Sequence, residues 1–380
     1  MKRHLVHIIP DFNSCDGIFN YVSTLVLYCD KQKYENTIIS FLSFGDKKLL
    51  DDLKKNDVNT FQLGPALYEK TGNKYIRYFL KNFIIAFIRK YLSLKQILET
   101  VNPDLIFVHG ENAELICGFL NSFSFKVNVL HSENSFPQNL VYKYILYNYS
   151  RKNYYSTIIV NEKLKSILRN PTMDVYRVPV GIIMEKYSSV KEVLHQNNKD
   201  VTFGYIGRIS REKNIQNLIN AFIKTADKYG YVNLIIAGNG NHKPVLEKMI
   251  PHYLKQNIKF VGAVEKTEEF FNNIDVLVHP SPSEGGPITV LEGLAAKRIV
   301  IAADVGFVKD ILKDNINGLL LKDTSVKSIN EKMEYVIANY DQIIKLADNA
   351  SELLSQYDYK NFLTTFYSVS DVIYSKIYNK

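Results

Sequence analysis

The chain has no tryptophan and only 3 cysteines among its 380 residues. Cys15, Cys29 and Cys117 lie far apart and form no CxxC pair, which argues against a disulfide framework and against a structural zinc site. A reducing, cytoplasmic location is therefore expected. With 46% hydrophobic and 23% charged residues, 18 glycines and 11 prolines, the composition is that of a soluble globular protein, and the length suits two domains.

Long apolar runs are also missing. The longest, FIIAFI at residues 83–88, is far shorter than the roughly 20 residues that span a bilayer. Near the start, the apolar run Leu5–Ile9 follows basic residues but stops at Pro10, so it favours a first strand over a signal peptide. We therefore expect no membrane-spanning segment.

Acidic residues are absent from one segment, although the net charge is only +8. Residues 1–190 hold 24 Lys and Arg against 17 Asp and Glu, and the rest of the chain holds 23 against 22. Between Lys70 and Lys95 there are 7 basic residues and no acidic one. The pattern of Lys74–Lys95 predicts an amphipathic helix. It either packs on the core with a solvated basic side or lies on an anionic membrane surface, where each basic residue adds about 1 kcal/mol.

Apolar strand-like runs alternate with helical patterns along both halves of the chain, which is typical of βαβ units on parallel sheets. The alternation is interrupted by the polar stretch 188–199. We expect a first domain over 1–188, a second over 189–360 and a closing helix over 361–380 that crosses back to the first domain. The predicted fold is α/β, with two Rossmann-like domains whose parallel sheets face each other across a cleft. Ligands of such sheets bind beyond the carboxyl ends of strands.

The most informative segment is DVLVHPSPSEGGPITVLEGLAA at residues 275–296, in which a buried strand, a Gly-rich loop and a helix follow one another. If the helix begins near Pro287, the amides of Ile288 and Thr289 form an anion site at its positive end. Glu284 in the loop would then face the group attached to the anion. Glu292 on the helix could grip two neighbouring hydroxyls of a ribose with both carboxylate oxygens.

A second segment, FGYIGRISREKNIQNLINAF at residues 203–222, places Arg208 and Lys213 between a strand and a helix. Positive charges at the carboxyl end of a strand would neutralise a diphosphate and stabilise it as a leaving group, a role that otherwise needs a divalent metal. No cluster of metal ligands is evident in the sequence, and we expect no metal.

Together the two segments resemble the donor-binding signature of retaining glycosyltransferases of family four, the group 1 glycosyl transferases with the GT-B fold. The pattern G-R-x(3 to 4)-E-K matches Gly207, Arg208, Glu212 and Lys213, and E-x7-E matches Glu284 and Glu292. Asp16-Gly17-Ile18 stands where the family has a Gly-Gly-Ile turn, and Val178-Pro179-Val180-Gly181 stands where P-N-G is usual. Both of these depart from the family pattern.

The resemblance implies a role for each matched residue. The residues expected to be catalytic are Glu284, His131, Arg208 and Lys213. The donor-binding group would be Gly17, Arg208, Lys213, Gly286, Ile288, Thr289 and Glu292. Arg208 and Lys213 would hold the diphosphate, Glu292 the ribose and Glu284 the sugar hydroxyls. His131, or His109 as the next candidate, would stabilise the developing oxocarbenium-like sugar.

By the same resemblance, the chain would transfer a sugar from a nucleotide diphosphate donor with retention and without a metal or other cofactor. A UDP-sugar is the first expectation and a GDP-sugar the second. The acceptor would be a glycan or a lipid-linked saccharide, in the synthesis of O-antigen, capsule or exopolysaccharide. A bacterial enzyme peripheral to the inner face of the cytoplasmic membrane is expected.

Three alternatives stay open at this point. A non-hydrolysing nucleotide-sugar epimerase would share the architecture, and a catalytically silent protein bound to a membrane surface would keep the basic helix. An NAD oxidoreductase would need a third glycine where Lys243 follows Ala237-Gly238-Asn239-Gly240, so a tight turn beside the nucleotide is favoured there.

His279 suits a structural role. The tyrosine-rich run 142–155 lacks an RNA-binding motif, and no nucleic-acid partner is expected.

Overall fold

The computed structural model describes residues 2–10, 17–41, 47–63, 76–131, 151–168, 173–191, 200–284, 286–350 and 354–378. Contacts within the chain divide it into two compact units. The first unit comprises Met1–Val178 together with Leu363–Lys380, and the second comprises Pro179–Phe362. Each unit is built on one parallel sheet, as the alternating pattern predicts.

The sheet of the first unit has 7 strands in the order β3-β2-β1-β4-β5-β6-β7 within the described residues. The strands are β1 (Arg3–Ile9), β2 (Tyr34–Ser40), β3 (Asn59–Gln62), β4 (Leu105–His109), β5 (Lys126–Leu130), β6 (Ser156–Ile159) and β7 (Asp174–Arg177). The helices are α1 (Gly17–Leu27), α2 (Lys47–Lys55), α3 (Ile76–Val101) and α4 (Glu111–Gly118). All strand pairs are parallel.

The sheet of the second unit has 6 parallel strands in the order β10-β9-β8-β11-β12-β13 within the described residues. The strands are β8 (Val201–Ile206), β9 (Val232–Ala237), β10 (Ile258–Gly262), β11 (Val276–His279), β12 (Ile299–Ala303) and β13 (Leu319–Leu321). The helices are α5 (Ile215–Tyr229), α6 (Lys243–Met249), α7 (Thr267–Phe271), α8 (Ile288–Ala295), α9 (Val308–Ile311), α10 (Val326–Ala338) and α11 (Tyr340–Ile343).

The central strands are apolar runs because helices cover both faces of a parallel sheet. Every residue of β4, β5 and β12 is buried. The edge strands β3 and β7 are instead short and partly exposed, and their polar residues discourage pairing with another chain. In both sheets the strand order reverses beside the first strand, between β1 and β4 and between β8 and β11, which is the position where doubly wound folds bind ligands.

The division between the units falls at Val178 and Pro179, whereas the sequence places the boundary near residue 188. The segment from Pro179 to Lys191 packs within the second unit. Val180 lies against Gly286, and the amide of Lys191 donates to Asn272 Oδ1 at 2.9 Å. The polar stretch 192–199 lies outside the described residues.

The last helix, α12 (Tyr359–Tyr378), belongs to both units: it enters the first unit from Leu363 onward. Its first turn meets the second unit, where Tyr359 N donates to the Ile182 carbonyl at 2.9 Å. Further along, Tyr367 Oη donates to the Leu25 carbonyl at 3.0 Å, within the first unit.

The predicted basic helix corresponds to α3, which begins at Ile76, so Lys74 lies outside the described residues, as do the side chains of 76–86. Leu94 and Leu98, one turn apart, are fully buried. Lys90 is also buried and donates to the Phe41 carbonyl at 2.6 Å, so it is not part of a solvated basic side. No described helix is long and apolar enough to cross a membrane.

Candidate functional site

Two loops of the second unit meet at the reversal point of its sheet. One follows β8 and carries Arg208 and Lys213, and the other follows β11 and leads through Glu284 to α8. Asn214, in a left-handed conformation with φ of 58°, joins them, because its side-chain amide donates to the Pro280 carbonyl at 3.2 Å. The two motif segments are therefore neighbours in the folded chain.

Glu284 and Lys213 form a close ion pair across these loops. Lys213 Nζ lies 2.5 Å from Glu284 Oε1, and both side chains are largely buried. His279, at the end of β11, brings its Nε2 within 3.5 Å of the same oxygen. The Glu284 carboxylate is therefore held by Lys213 at the carboxyl edge of the sheet, with the His279 ring beside it.

This environment keeps Glu284 ionised. Burial by itself would raise the pKa of the carboxyl, but His279 and the Lys213 ammonium outweigh it and lower the pKa to about 2. At neutral pH the side chain carries only acceptor oxygens. It can accept hydrogen bonds from hydroxyl groups and cannot donate a proton as a general acid.

Arg208 is the exposed charge of the site. Its side chain is 54% exposed, and its Nη2 lies 3.8 Å from Glu212 Oε1. Tyr205 Oη donates to the Arg208 carbonyl at 3.1 Å and so steadies the backbone of the turn. An exposed ion pair of this kind contributes little to stability, which leaves the guanidinium available to an anion at small cost.

The amino end of α8 lies as the sequence predicts. The helix begins at Ile288, so the amides of Ile288 and Thr289 belong to its first turn and lack partners within the helix. Thr289 Oγ1 lies 3.3 Å from His279 Nδ1, which ties the helix start to the end of β11. Gly286 packs tightly, since a Cβ there would come within 2.6 Å of the Phe307 ring. Gly285 lies outside the described residues.

Glu292 is buried and already hydrogen-bonded. Tyr187 Oη donates to Glu292 Oε1 at 2.7 Å, and Thr267 Oγ1 lies 3.5 Å from the same oxygen. Burial raises the pKa of Glu292, and the Tyr187 hydrogen bond opposes the rise. A ligand held by both carboxylate oxygens, as expected from the sequence, would share Oε1 with Tyr187. Oε2 is the oxygen that remains for a ligand.

The Gly-Asn-Gly turn after β9 supports the neighbouring loop. A Cβ on Gly238 would lie 1.9 Å from the Gly207 carbonyl oxygen, and one on Gly240 would lie 1.9 Å from the Ile209 carbonyl oxygen. Ile209 N in turn donates to the Asn239 carbonyl at 2.8 Å. These glycines thus allow two backbones to touch, which accounts for them without a dinucleotide.

The remaining site predictions fall in the first unit. Gly17 begins α1, and apart from its own helix turn no atom of the described residues lies within 4 Å of where its Cβ would be. Asp16 lies outside the described residues. His131 follows β5 directly, and its Nε2 lies 2.8 Å from Nδ1 of the buried His109. Nδ1 of His7 approaches Nε2 of His109 at 3.2 Å.

Sequence reasoning missed several of these contacts. Tyr187, assigned to the first domain, lies against Glu292 in the second unit, and no local pattern links the two. His279, given a structural role, touches both Glu284 and Thr289. The His-Pro step just before the Gly-rich loop is the one signal that points to it. His7 appears only as an ordinary strand residue.

Comparisons with known proteins agree with the motif segments. Residues 188–353 match the family described as glycosyl transferases group 1. An uncharacterized glycosyltransferase of Methanocaldococcus jannaschii is 25% identical over 309 residues, which span 80% of this chain and 76% of that protein. The N,N'-diacetylbacillosaminyl-diphospho-undecaprenol alpha-1,3-N-acetylgalactosaminyltransferase of Campylobacter jejuni is 26% identical over 242 residues, or 60% of this chain and 63% of that enzyme.

Among solved structures, the HepE protein of Anabaena in complex with UDP and glucose superimposes with a TM-score of 0.75 at 15% identity. The match covers 97% of this chain and 100% of that one. At this identity the likeness concerns the fold alone, and the fold is GT-B. The resemblance predicted from the two motif segments is confirmed: residues 188–353, within the second unit, match the group 1 glycosyl transferases, and most of the chain is similar to a glycosyltransferase.

Proposed function

We propose that the protein transfers a sugar from a nucleotide diphosphate donor, with retention at the anomeric carbon and without a metal. The observation that carries the proposal is the ion pair between Glu284 and Lys213, with His279 beside it, where the sheet order reverses. A carboxylate that cannot donate a proton suits the binding of sugar hydroxyls. It does not suit the general acid of a glycosidase.

The other groups of the second unit fit a diphosphate. Arg208 offers a solvent-exposed guanidinium, and the amides of Ile288 and Thr289 add the positive end of α8. Lys213 would be shared between Glu284 and a phosphate oxygen. Glu292 would accept one ribose hydroxyl through Oε2, since Tyr187 occupies Oε1.

Binding of the nucleotide tests this assignment. Wild type should gain thermal stability with one of UDP, GDP, ADP or CMP, because a ligand at about 100 times its Kd adds roughly 2.7 kcal/mol to the native state. Arg208→Ala and Glu292→Gln should lose the shift. Arg211→Ala removes another exposed positive charge from the same loop and should keep the shift. A shift with NAD alone would overturn the proposal.

Transfer with retention requires its own measurement. Proton NMR of the product should show the anomeric configuration of the donor, and chelation of divalent ions should leave the rate unchanged. His131→Ala tests the role that the family resemblance gives to this residue. Turnover of the donor with no acceptor present would favour the epimerase instead.

The acceptor that we propose is a glycan or lipid-linked saccharide of a cell-surface polysaccharide, at the inner face of the cytoplasmic membrane. The Campylobacter relative, by its name, acts on a diphospho-undecaprenol substrate. On α3 of this chain, Ile88 and Leu92 are 48% and 56% exposed, one turn apart, and the exposed Arg89 lies between them. This combination suits an anionic lipid surface.

Sedimentation with vesicles tests the membrane contact. The protein should pellet with vesicles that contain phosphatidylglycerol and remain in solution with neutral ones. Replacing Ile88 and Leu92 by serine should abolish the binding. The matched change of Val245 and Tyr253, exposed apolar residues of the second unit, should leave it intact. Equal binding by both double variants would refute a contact through α3.

A further inference from the structure

Three histidines of the first unit form one hydrogen-bonded chain. His7 lies on β1, His109 ends β4 and His131 follows β5, so the order of the sheet brings together residues that are distant in sequence. His7 Nδ1 and His109 Nε2 are 3.2 Å apart, and His109 Nδ1 and His131 Nε2 are 2.8 Å apart. His7 and His109 are fully buried, whereas His131 is partly exposed.

All three imidazoles are neutral at physiological pH. Burial lowers the pKa of His7 and of His131 to about 3 and places that of His109 well below its ordinary value. The Asn36 side chain opposes the shift at His7, and both its amide atoms, like Nε2 of His7, have no hydrogen-bond partner among the described residues. The other neighbours are aromatic: Phe107 is stacked on His7 at 5.3 Å, Phe366 is tilted against it at 5.8 Å, and Tyr21 meets His131 edge-on at 4.8 Å.

A neutral imidazole has one N–H, and this couples the three rings. If the proton of His109 is on Nδ1, it is donated to His131 Nε2, and Nε2 of His109 must accept from Nδ1 of His7. All three rings then carry the proton on Nδ1. If the proton of His109 is on Nε2, the same reasoning places every proton on Nε2. If the rings carried their protons on different nitrogens, one of the two N···N contacts would hold no proton or two protons.

The buried end of the three-histidine series, at Nε2 of His7, decides between the two tautomer patterns. Nε2 of His7 is buried and has no hydrogen-bond partner among the described residues. A buried N–H without a partner is rarer than a buried acceptor without one. The pattern with every proton on Nδ1 leaves only a lone pair at that position and is therefore favoured.

We propose that His7 and His109 are positioning residues that hold His131 in its Nδ1–H tautomer. Because Nε2 of His131 is taken by His109, Nδ1 is the nitrogen left for a ligand, and it acts as a hydrogen-bond donor. The ligand atom that it meets must be an acceptor, such as a hydroxyl or ring oxygen of a sugar. This identification of the ligand rests on the proposed function, whereas the tautomer does not.

The tautomers can be read directly from nitrogen-15 NMR of the full chain with labelled histidine, because protonated and unprotonated ring nitrogens resonate far apart. Single-residue replacement assigns the signals. We expect His7, His109 and His131 all to be protonated on Nδ1. An Nε2 proton on any of the three would overturn the proposal.

A matched pair of variants tests the coupling. His109→Leu removes the donor to His131 Nε2, so His131 should change from a single tautomer to a mixture. The control, His4→Gln, changes a second histidine of β1, the strand of His7. The His4 ring bonds to Thr37 Oγ1 and not to the other histidines, so this variant should leave His131 unchanged. An unaltered His131 in folded His109→Leu protein would also refute the proposal. If that variant does not fold, the wild-type spectrum still decides.

The NMR measurements of the histidine tautomers do not require sugar transfer. A protein that fails to bind any nucleotide can still show the shared tautomer. A protein that transfers sugar can still lack it. The tautomer proposal and the proposed function can therefore be refuted independently of each other.

Discussion

Two tyrosine–carboxylate hydrogen bonds of nearly equal length differ in burial. Tyr187 Oη donates to the buried Glu292 at 2.7 Å, and Tyr253 Oη donates to the exposed Asp227 at 2.8 Å. Removing the first hydroxyl leaves a buried carboxylate poorly paired, whereas water replaces the second. The comparison separates the effect of burial from that of the bond itself.

We expect Tyr187→Phe to lower the free energy of unfolding by about 1.5–3 kcal/mol, the range for hydrogen bonds to charged groups. Tyr253→Phe should leave it unchanged. Urea unfolding at pH 7 measures both. Equal losses in the two variants would show that the burial of Glu292 does not govern its dependence on Tyr187.

Glu284 should make stability depend on pH. Its pKa falls from 4.5 to about 2 on folding, because His279 and Lys213 outweigh the effect of burial. An acid whose pKa is lower in the folded state stabilises the fold above its ordinary pKa, and this stabilisation is lost as the pH falls towards 2. The contribution at neutral pH is about 3 kcal/mol, taken at 1.36 kcal/mol per pKa unit.

The free energy of unfolding of Glu284→Gln should therefore fall less between pH 6 and pH 3 than that of wild type. Glu269→Gln removes an exposed partner of Lys266 and should follow the wild-type curve. Denaturant titrations at several pH values compare the three. Parallel curves for all of them would mean that the Glu284 carboxylate is not held by its neighbours.

At the scale of elements, the turn between β9 and α6 supports the loop that carries Arg208. Gly240→Ala would place a Cβ 1.9 Å from the Ile209 carbonyl oxygen, and backbone cannot yield as a flexible side chain can. We expect a loss of about 1–3 kcal/mol, as for other overpacked sites. Gly17→Ala is the control, because no atom of the described residues outside its own helix turn lies within 4 Å of the position of its Cβ. Calorimetry of both variants checks the difference.

The order of strands and helices was predictable because strands covered on both faces are apolar runs, as in β4 and β12. The placement of Glu284 and Lys213 in loops that follow β11 and β8 was predictable, because each strand, loop and helix follow one another in sequence. The contacts of Tyr187 with Glu292 and of His7 with His109 were not. They depend on which strands and segments become neighbours in space, and the local alternation of residues does not contain that information.

At the scale of the molecule, α12 joins the two units. Its first turn packs on the second unit, since Phe362 lies against Gly181. The rest packs on the first unit, where Arg3 and Tyr34 both contact Asp371 and Phe366 lies against His7. The first unit therefore takes part of its core from the far end of the sequence.

Removal of residues 363–380 should consequently destabilise the first unit much more than the second. Hydrogen exchange read by mass spectrometry should show lost protection in β1 and α1, because Tyr367 no longer donates to the Leu25 carbonyl. Protection in β8 and β11 should be retained, since their contacts lie within the second unit. Asp371→Asn, which keeps the helix, should cause a smaller loss confined to β1 and β2. If β8 and β11 lost protection together with β1, the two units would unfold as one cooperative body, and the last helix would stabilise the whole chain.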